Sequence, residues 1–317
     1  MQNKTKIAVL GMGGVGGYFG GYLARHYEKS NTIDIIFIAR GDNKTTLKSK
    51  GIHLQTPEET FVAYPKLTSS DPLEIGVLDY LICCTKMYDL DQSLRQYIPC
   101  IKNETVLLSL HNGVEGADII KQICPENEVL EGGVYIISSL VQPGIVKKTS
   151  KFEKLFFGST AEKTVLQVKL AKILIAAGID ASISKNIKNV LWEKFLLIST
   201  MATLTSFLNI SIGAILVDNK NMKLLLSLMN ELKAVGEAYG VLFSGDIINK
   251  TLNIMSAMPF ETTSSLQRDF QNGKKTEIDA LVGYVVKMGK QLKIPTPLYK
   301  MMYEKLKRAD TQLAESL

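Results

Sequence analysis

The 317-residue sequence predicts an α/β chain in two parts, a doubly wound sheet over its first half and an all-helical domain over its second. Three observations predict it. Strand-like and helix-like runs alternate from Lys6 to about Phe157, the apolar spacing turns helical near Ile187 and stays so, and the length exceeds what one hydrophobic core ordinarily organises.

Lys6–Leu10 (KIAVL) reads as a buried strand and Gly14–His26 as the helix behind it. Ile33–Ile38 (IDIIFI) is a second strand, followed by a polar helix over Asp42–Lys50. Leu78–Cys84 (LDYLICC) and Thr105–Leu110 (TVLLSL) are further strands with a helical stretch between them, and Glu128–Ile137 continues the series. Such alternation implies parallel pairing through right-handed crossovers. Pro143-Gly144 marks a turn between two antiparallel strands, ending near Phe157. Helical spacing then covers Val190–Phe207, Met222–Tyr239, Asp246–Met258, Thr276–Leu292 and a last segment after Pro297. With no repeats and no long linker, the division falls at a short connection near Ser184–Ile187. That gives domains 1–185 and 186–317, with the cleft between them as the expected ligand site.

Hydrophobic residues make up 46% of the chain and charged residues 21%, the balance of a folded globular protein. Lysine and arginine outnumber the acids 37 to 31, for a net charge of +6 that is spread along the chain. This suits a small anionic ligand; a nucleic acid would call for a concentrated basic stripe. No apolar run is long enough for a membrane span, and the N-terminus enters a strand without a signal-peptide core. The expectation is a cytoplasmic protein with no membrane or nucleic-acid partner, as a monomer or homodimer. Cys83, Cys84, Cys100 and Cys124 form no C-x-x-C pair, and Cys83 and Cys84 alternate across one strand, so they read as core thiols in a reducing compartment. His26, His53 and His111 have no metal-site spacing, and no metal is expected.

The segment KIAVLGMGGVGG places Gly11, Gly13 and Gly16 in G-x-G-x-x-G spacing. Alone the motif is weak. Here it follows a strand and opens a helix, the context that a dinucleotide-binding Rossmann-type fold requires. Gly11 permits the tight turn, Gly13 lets the backbone approach a pyrophosphate, and Gly16 lets helix and strand pack closely. The free N–H groups of the helix start face the phosphates. The next strand ends in Arg40, where an NAD site usually carries an acid. A guanidinium there pairs bidentately with a 2′-phosphate, which favours NADP. Lys44 and Lys48 add to the field, whereas Asp42 would restore an acid if the register slipped by two. Lys86 and Asn112 stand at the ends of two further strands, where ligands of such sheets bind. Asn112-Gly113 also reads as a plain turn.

Two charges of opposite sign fall on apolar helical faces. Lys194, in NVLWEKFLLI, shares a face with Val190, Leu191, Leu197 and Ile198. Glu277, in TEIDALVGYVVKMG, shares one with Ala280, Leu281 and Tyr284. They read as a catalytic pair or as a buried structural ion pair. As a catalytic pair they suit ketone reduction, because hydride addition leaves negative charge on the carbonyl oxygen and a lysine can supply the proton. Trp192 reads as core packing, and His111 as a packing or supporting residue.

With KIAVLGMGGVGG, TK at Lys86, HNG at Asn112, LWEKF at Lys194 and SSLQRDFQNGKKTEID together, the chain resembles the ketopantoate reductase family (2-dehydropantoate 2-reductases) over nearly its whole length. The resemblance implies NADPH as hydride donor, Lys194 as general acid toward the keto oxygen, and Glu277 as partner of substrate and lysine. Asn112 and Ser265 would touch substrate, Lys86 would lie near both cofactor and substrate, Asn112 would also border the cofactor, and Arg40 matches the family's 2′-phosphate arginine. The reaction implied is reduction of 2-dehydropantoate to pantoate, on the way to pantothenate. The chain departs from the family pattern at three positions. Ile198 and Ala202 stand where asparagines are common on the lysine's helix, and Thr262 stands where another is common. An apolar face cannot hydrogen-bond a hydroxy keto acid in the same way, so a reductase of another branched 2-keto acid is an alternative. A non-catalytic NADP sensor is a further one, though it would have no use for Lys194, Glu277 and Asn112 together.

Overall fold

A computed structural model of the chain describes residues 4–151, 153–159 and 164–315. The chain divides into two compact units, one built from the residues through His111 and Glu115–Ile187, the other from Asn112–Val114 and the residues from Lys188 onward.

The first unit runs β1 (Thr5–Leu10), α1 (Gly14–Tyr27), β2 (Ile33–Ile38), α2 (Gly41–Lys50), β3 (Ile52–Gln55), β4 (Thr60–Ala63), β5 (Leu67–Ser69), α3 (Pro72–Ile75) and β6 (Leu78–Cys83). It continues through α4 (Met87–Gln96), β7 (Ile101–Ser109), α5 (Gly116–Ile123), β8 (Val129–Tyr135), β9 (Ser138–Gln142), β10 (Ile145–Lys148), β11 (Lys154–Gly158), α6 (Val165–Ala176) and β12 (Ala181–Ile183). Eight strands form the main sheet in the order β12-β11-β8-β7-β6-β1-β2-β5. All neighbours in it are parallel except β11 and β8. The central strands are buried on both faces, which is why Ile7–Leu10, Ile35–Ile38 and Tyr80–Cys83 read as continuous apolar runs without alternation. The chain leaves β1 toward β2 on one side and returns to β6 on the other, so the switch point of the sheet lies between β1 and β6.

A second sheet, in the order β4-β3-β10-β9, lies against α1. That helix therefore packs on strands from two sides, and its glycines explain how. A Cβ at Gly16 would lie 2.0 Å from the Gly11 carbonyl oxygen, and one at Gly17 would lie 2.5 Å from Cγ2 of Val146 on β10. The sequence pattern predicts the β9–β10 hairpin but not β3, β4, β5, β12, α3, α5 or α6. The missed strands are three or four residues long, too short for a period to show.

The second unit is helical: α7 (Ile187–Leu208, its first residue belonging to the first unit), α8 (Ile212–Val217), α9 (Asn219–Ala238), α10 (Ile247–Ser256), α11 (Ser265–Gln271), α12 (Tyr284–Leu292) and α13 (Pro297–Glu315). Asp218 caps α9 by accepting from the Asn221 amide at 2.8 Å, and Ser264 caps α11 by accepting from the Gln267 amide at 3.0 Å. Trp192 is 2% exposed and stacked on Tyr239 at 5.3 Å, a packing residue as expected. One expectation needs correcting. The helix predicted from Thr276 opens as a π turn over Asp279–Gly283, and Thr276 and Glu277 precede it. The Thr276 hydroxyl donates to Asp310 at 2.6 Å and accepts from the Ile278 amide at 3.3 Å, which holds the segment out of the helix. Glu277 thus does not share a regular helical face with Tyr284. Among the described residues, no helix is long and apolar enough to cross a membrane.

The contrast between two motif glycines is testable by thermal melting. Gly16→Ala must push a methyl into backbone and should cost about 2–3 kcal/mol, lowering the midpoint by several degrees. Gly13→Ala, whose Cβ would meet nothing within 4 Å, should cost about 0.5 kcal/mol or less.

Candidate active site

The candidate residues fall into two groups, one in each unit. In the first unit, β1 delivers the chain into the turn at Gly11, which has φ +93°. That is left-handed backbone that favours glycine, and a Cβ there would come within 2.9 Å of the Thr85 and Cys84 backbone leaving β6. The Cys84 amide donates to the Leu10 carbonyl at 2.8 Å, and the Gly11 amide to Ile38 at 3.2 Å, so the turn is pinned to both neighbouring strands. A cleft of about 160 Å³ opens there, lined by Gly11, Met12, Gly13, Ala39, Arg40, Asn43, Thr85, Tyr97, Leu140 and others. Arg40 stands exposed where β2 hands over to α2 and borders this cleft, while Asp42 does not. Lys44 is turned to the Ser70 hydroxyl at 3.0 Å.

Several residues here escaped the sequence reading. Asn43 uses both ends of its amide: Nδ2 donates to the Met12 carbonyl at 3.0 Å, and Oδ1 accepts from the Gly144 amide at 2.8 Å. It ties the glycine turn to the hairpin turn between β9 and β10, and keeps the Met12 carbonyl engaged away from an incoming anion. Ser138 of β9 lies over the first residue of α1, its carbonyl 2.4 Å from where a Gly14 Cβ would be, and its buried hydroxyl has no hydrogen-bond partner. Tyr97 adds an aromatic wall and donates to the Ser70 carbonyl at 3.3 Å. The open space at Gly13, the α1 amides, the orphaned Ser138 hydroxyl and the exposed Arg40 fit a dinucleotide with its phosphates on the helix start. Gly16 takes no part in the lining; it serves the packing of α1.

His111 is 5% exposed, bonded to Ser109 Oγ at 2.9 Å and Thr85 Oγ1 at 3.2 Å. Burial pushes its pKa down to about 4, so the ring is neutral near pH 7 and ties the ends of β6 and β7 together. Lys86, half-buried, starts α4 directly after the cleft-lining Thr85.

In the second unit, Lys194 projects from the second turn of α7 and is only 6% exposed. Its Nζ donates to Oδ1 of Asn112 at 3.0 Å. Asn112 rides on the short segment Asn112–Val114, which belongs with the helices although only Leu110 and His111 separate it from the sheet strand β7. Gly113 makes that bend with φ +101°, and a Cβ on it would sit 3.5 Å from the Ala280 carbonyl of the π turn. Glu277, 8% exposed, lies just before the same turn. Burial lowers the Lys194 pKa to about 8, against the Glu277 carboxylate, which raises it. An ammonium with a pKa near neutrality is suited to giving up a proton.

Ser265 is exposed at the first position of α11, while its neighbour Ser264 is buried, caps the helix and accepts from the Thr205 hydroxyl at 2.8 Å. Ile198 and Ala202 follow Lys194 at intervals of four on α7, half-buried and 3% exposed. The Thr262 carbonyl accepts from the Ile212 amide at 2.9 Å.

A glycine turn at a sheet switch point, with an arginine on its rim, marks a nucleotide-binding α/β protein. Comparison with known proteins makes the class specific. The family profile for ketopantoate reductase PanE/ApbA matches residues 7–162, and that for its C-terminal part matches residues 186–310. The chain belongs to the ketopantoate reductase PanE/ApbA family. It is an NAD(P)-dependent oxidoreductase of that family. A crystal structure of 2-dehydropantoate 2-reductase from Porphyromonas gingivalis W83 is similar at 32% identity and TM-score 0.84, over 96% of this chain and 99% of that one. The uncharacterized oxidoreductase YkpB of Bacillus subtilis (strain 168) is 28% identical over 97% of this chain and 99% of its own length. A 2-dehydropantoate 2-reductase of Mesorhizobium japonicum is 25% identical over 92% of this chain and 94% of its own.

The Lys194 environment can be tested without turnover, by following its amine through a pH titration with NMR on labelled lysine. Asn112→Asp sets a carboxylate beside the ammonium and should raise the pKa above about 8. Glu277→Gln removes the charge that opposes burial and should lower it below about 8.

Proposed function

We propose that the protein reduces a 2-keto acid with NADPH in the cytoplasm, and that ketopantoate is its substrate. The observation that carries the reading is the buried Lys194 ammonium, hydrogen-bonded to Asn112 and within the field of Glu277. NADPH, when bound, supplies the hydride that reaches the carbonyl carbon. As negative charge collects on the carbonyl oxygen, Lys194 Nζ gives it a proton, leaving an alcohol and a neutral amine that solvent recharges. Asn112 orients the ammonium through its carbonyl oxygen, and its own NH₂ group remains to meet a substrate oxygen. Glu277 keeps the lysine charged in a buried setting and offers a carboxylate to a substrate hydroxyl. Ser265 and Lys86 are proposed as further substrate contacts, with Lys86 also near the cofactor. Arg40 pairs with the 2′-phosphate, and Gly11, Gly13 and the α1 amides hold the pyrophosphate.

A second reading has its own observation. Ile198 and Ala202 continue the Lys194 face of α7 with apolar side chains, which favours a keto acid with a more apolar branch than ketopantoate.

The deciding assay is NADPH oxidation with ketopantoate beside a panel of branched 2-keto acids. Preference for ketopantoate is expected; preference for another acid moves the substrate and keeps the mechanism, and no turnover of any acid overturns the reduction proposed here. Lys194→Ala should lower kcat by about 10²–10⁴-fold while NADPH affinity stays nearly unchanged. The reduction rate should fall as pH rises through about 8, where the lysine loses its proton. Arg40→Ala should weaken NADPH by about 10-fold or more and NADH hardly at all, as read by nicotinamide fluorescence; equal losses would place the 2′-phosphate elsewhere.

A further inference from the structure

Ser199 lies five residues beyond Lys194 on α7 and is fully buried. Other hydroxyls on that helix behave as mid-helix hydroxyls ordinarily do. Thr200 and Thr203 donate to the carbonyls four residues back, at 2.6 and 2.7 Å. Ser199 instead reaches across to another element. Its hydroxyl donates to the Leu281 carbonyl at 2.6 Å and lies 2.9 Å from the Tyr299 phenol. Tyr299 is itself fully buried and fixed: its amide and that of Leu298 donate to the two carboxylate oxygens of Glu231, at 3.0 and 2.9 Å.

Leu281 is the middle residue of the π turn. Such turns are rare, give up the regular hydrogen-bond ladder, and persist where a side chain or a function holds them. At its other pole Leu281 donates its amide to the Glu277 carbonyl at 3.0 Å. One residue is thereby tied to the segment carrying Glu277 and to the helix carrying Lys194. The same turn offers the Ala280 carbonyl to the bend at Gly113, one residue from Asn112.

We infer that Ser199 is a positioning residue: by holding the Leu281 carbonyl it sets the π turn, and with it Glu277 and the Asn112 bend, at the distance from Lys194 that proton transfer needs. The inference rests on the roles proposed above for Lys194 and Glu277. Apart from Glu277, every partner named is uncharged or, as Glu231, is held by the Leu298 and Tyr299 backbone amides, so the hydroxyl acts through geometry.

The test is Ser199→Ala, assayed with saturating NADPH and ketopantoate, or whichever acid of the panel is turned over. A displacement of about 1 Å costs up to about 10²-fold, so kcat should fall by about 10- to 100-fold. KM for the keto acid should rise by less than about threefold, and NADPH affinity by fluorescence should hold within about twofold, since substitution spares both binding surfaces. Ser199→Cys, similar in size and a weak donor, should recover part of the rate. Tyr299→Phe, which keeps the Ser199–Leu281 bond, should lose less than Ser199→Ala. In the Lys194 titration, Ser199→Ala should lower the pKa as Glu277 drifts away, a shift that loss of stability alone does not produce. Wild-type kcat and an unmoved titration in Ser199→Ala, with Glu277→Gln slow, would overturn the positioning role alone. Normal turnover in Lys194→Ala and Glu277→Gln as well would overturn the reading on which it rests.

Discussion

Removing an ammonium from water costs on the order of several kcal/mol, and the helical unit is organised around one. Lys194 keeps its charge at 6% exposure because a carbonyl oxygen is delivered to it and a carboxylate lies within reach of it. The balance is incomplete: burial outweighs Glu277, and the lysine settles near pH 8 in place of its usual alkaline range. In the proposed reaction that incompleteness is useful, since a fully compensated lysine would hold its proton more tightly. The features around it are the left-handed bend at Gly113 that carries Asn112, the π turn that follows Glu277, and the Ser199 hydroxyl held between the Leu281 carbonyl and the Tyr299 phenol.

The cleft of the sheet unit, proposed above to receive an anion, is lined mostly by backbone and uncharged side chains. The α1 helix can bring its free amides to the end of β1 only because it is bare of side chains where it meets the Gly11 turn and the β10 strand. Asn43 then fixes the turn from outside by holding the Met12 carbonyl and the Gly144 amide at once. Side chains with charge are left to the rim, where Arg40 stands.

How much of this could be seen in the sequence depended on distance along the chain. The strand–turn–helix around Gly11 was legible because all its parts lie within twenty residues and each has a separate steric reason. Arg40 was legible because it ends an unmistakable apolar strand, and Lys194 because a charge interrupts an apolar helical stripe. Asn43 was not, since one of its partners is 101 residues away and its own neighbourhood looks like any polar helix. Ser138 was hidden for the same reason, and the small sheet because its strands are too short for a period to show. Glu277 was singled out on a helical spacing that the π turn and the Thr276–Asp310 bond do not keep. The Leu281 amide still meets the Glu277 carbonyl four residues back, so it is the spacing on to Tyr284 that departs from a regular helix.

The segment Asn112–Val114 has one further consequence. Three residues that come just after a sheet strand, separated from its end by two others, belong by their contacts with the helices that begin more than seventy residues later. The boundary in space is therefore not a single cut in the gene. A fragment starting at Lys188 would carry the lysine without the oxygen that receives its hydrogen bond, and a chimera joined there would import that oxygen from a foreign loop. Recombination between relatives at the obvious junction is thus constrained by a tripeptide outside the exchanged cassette, and the two halves are expected to be inherited together.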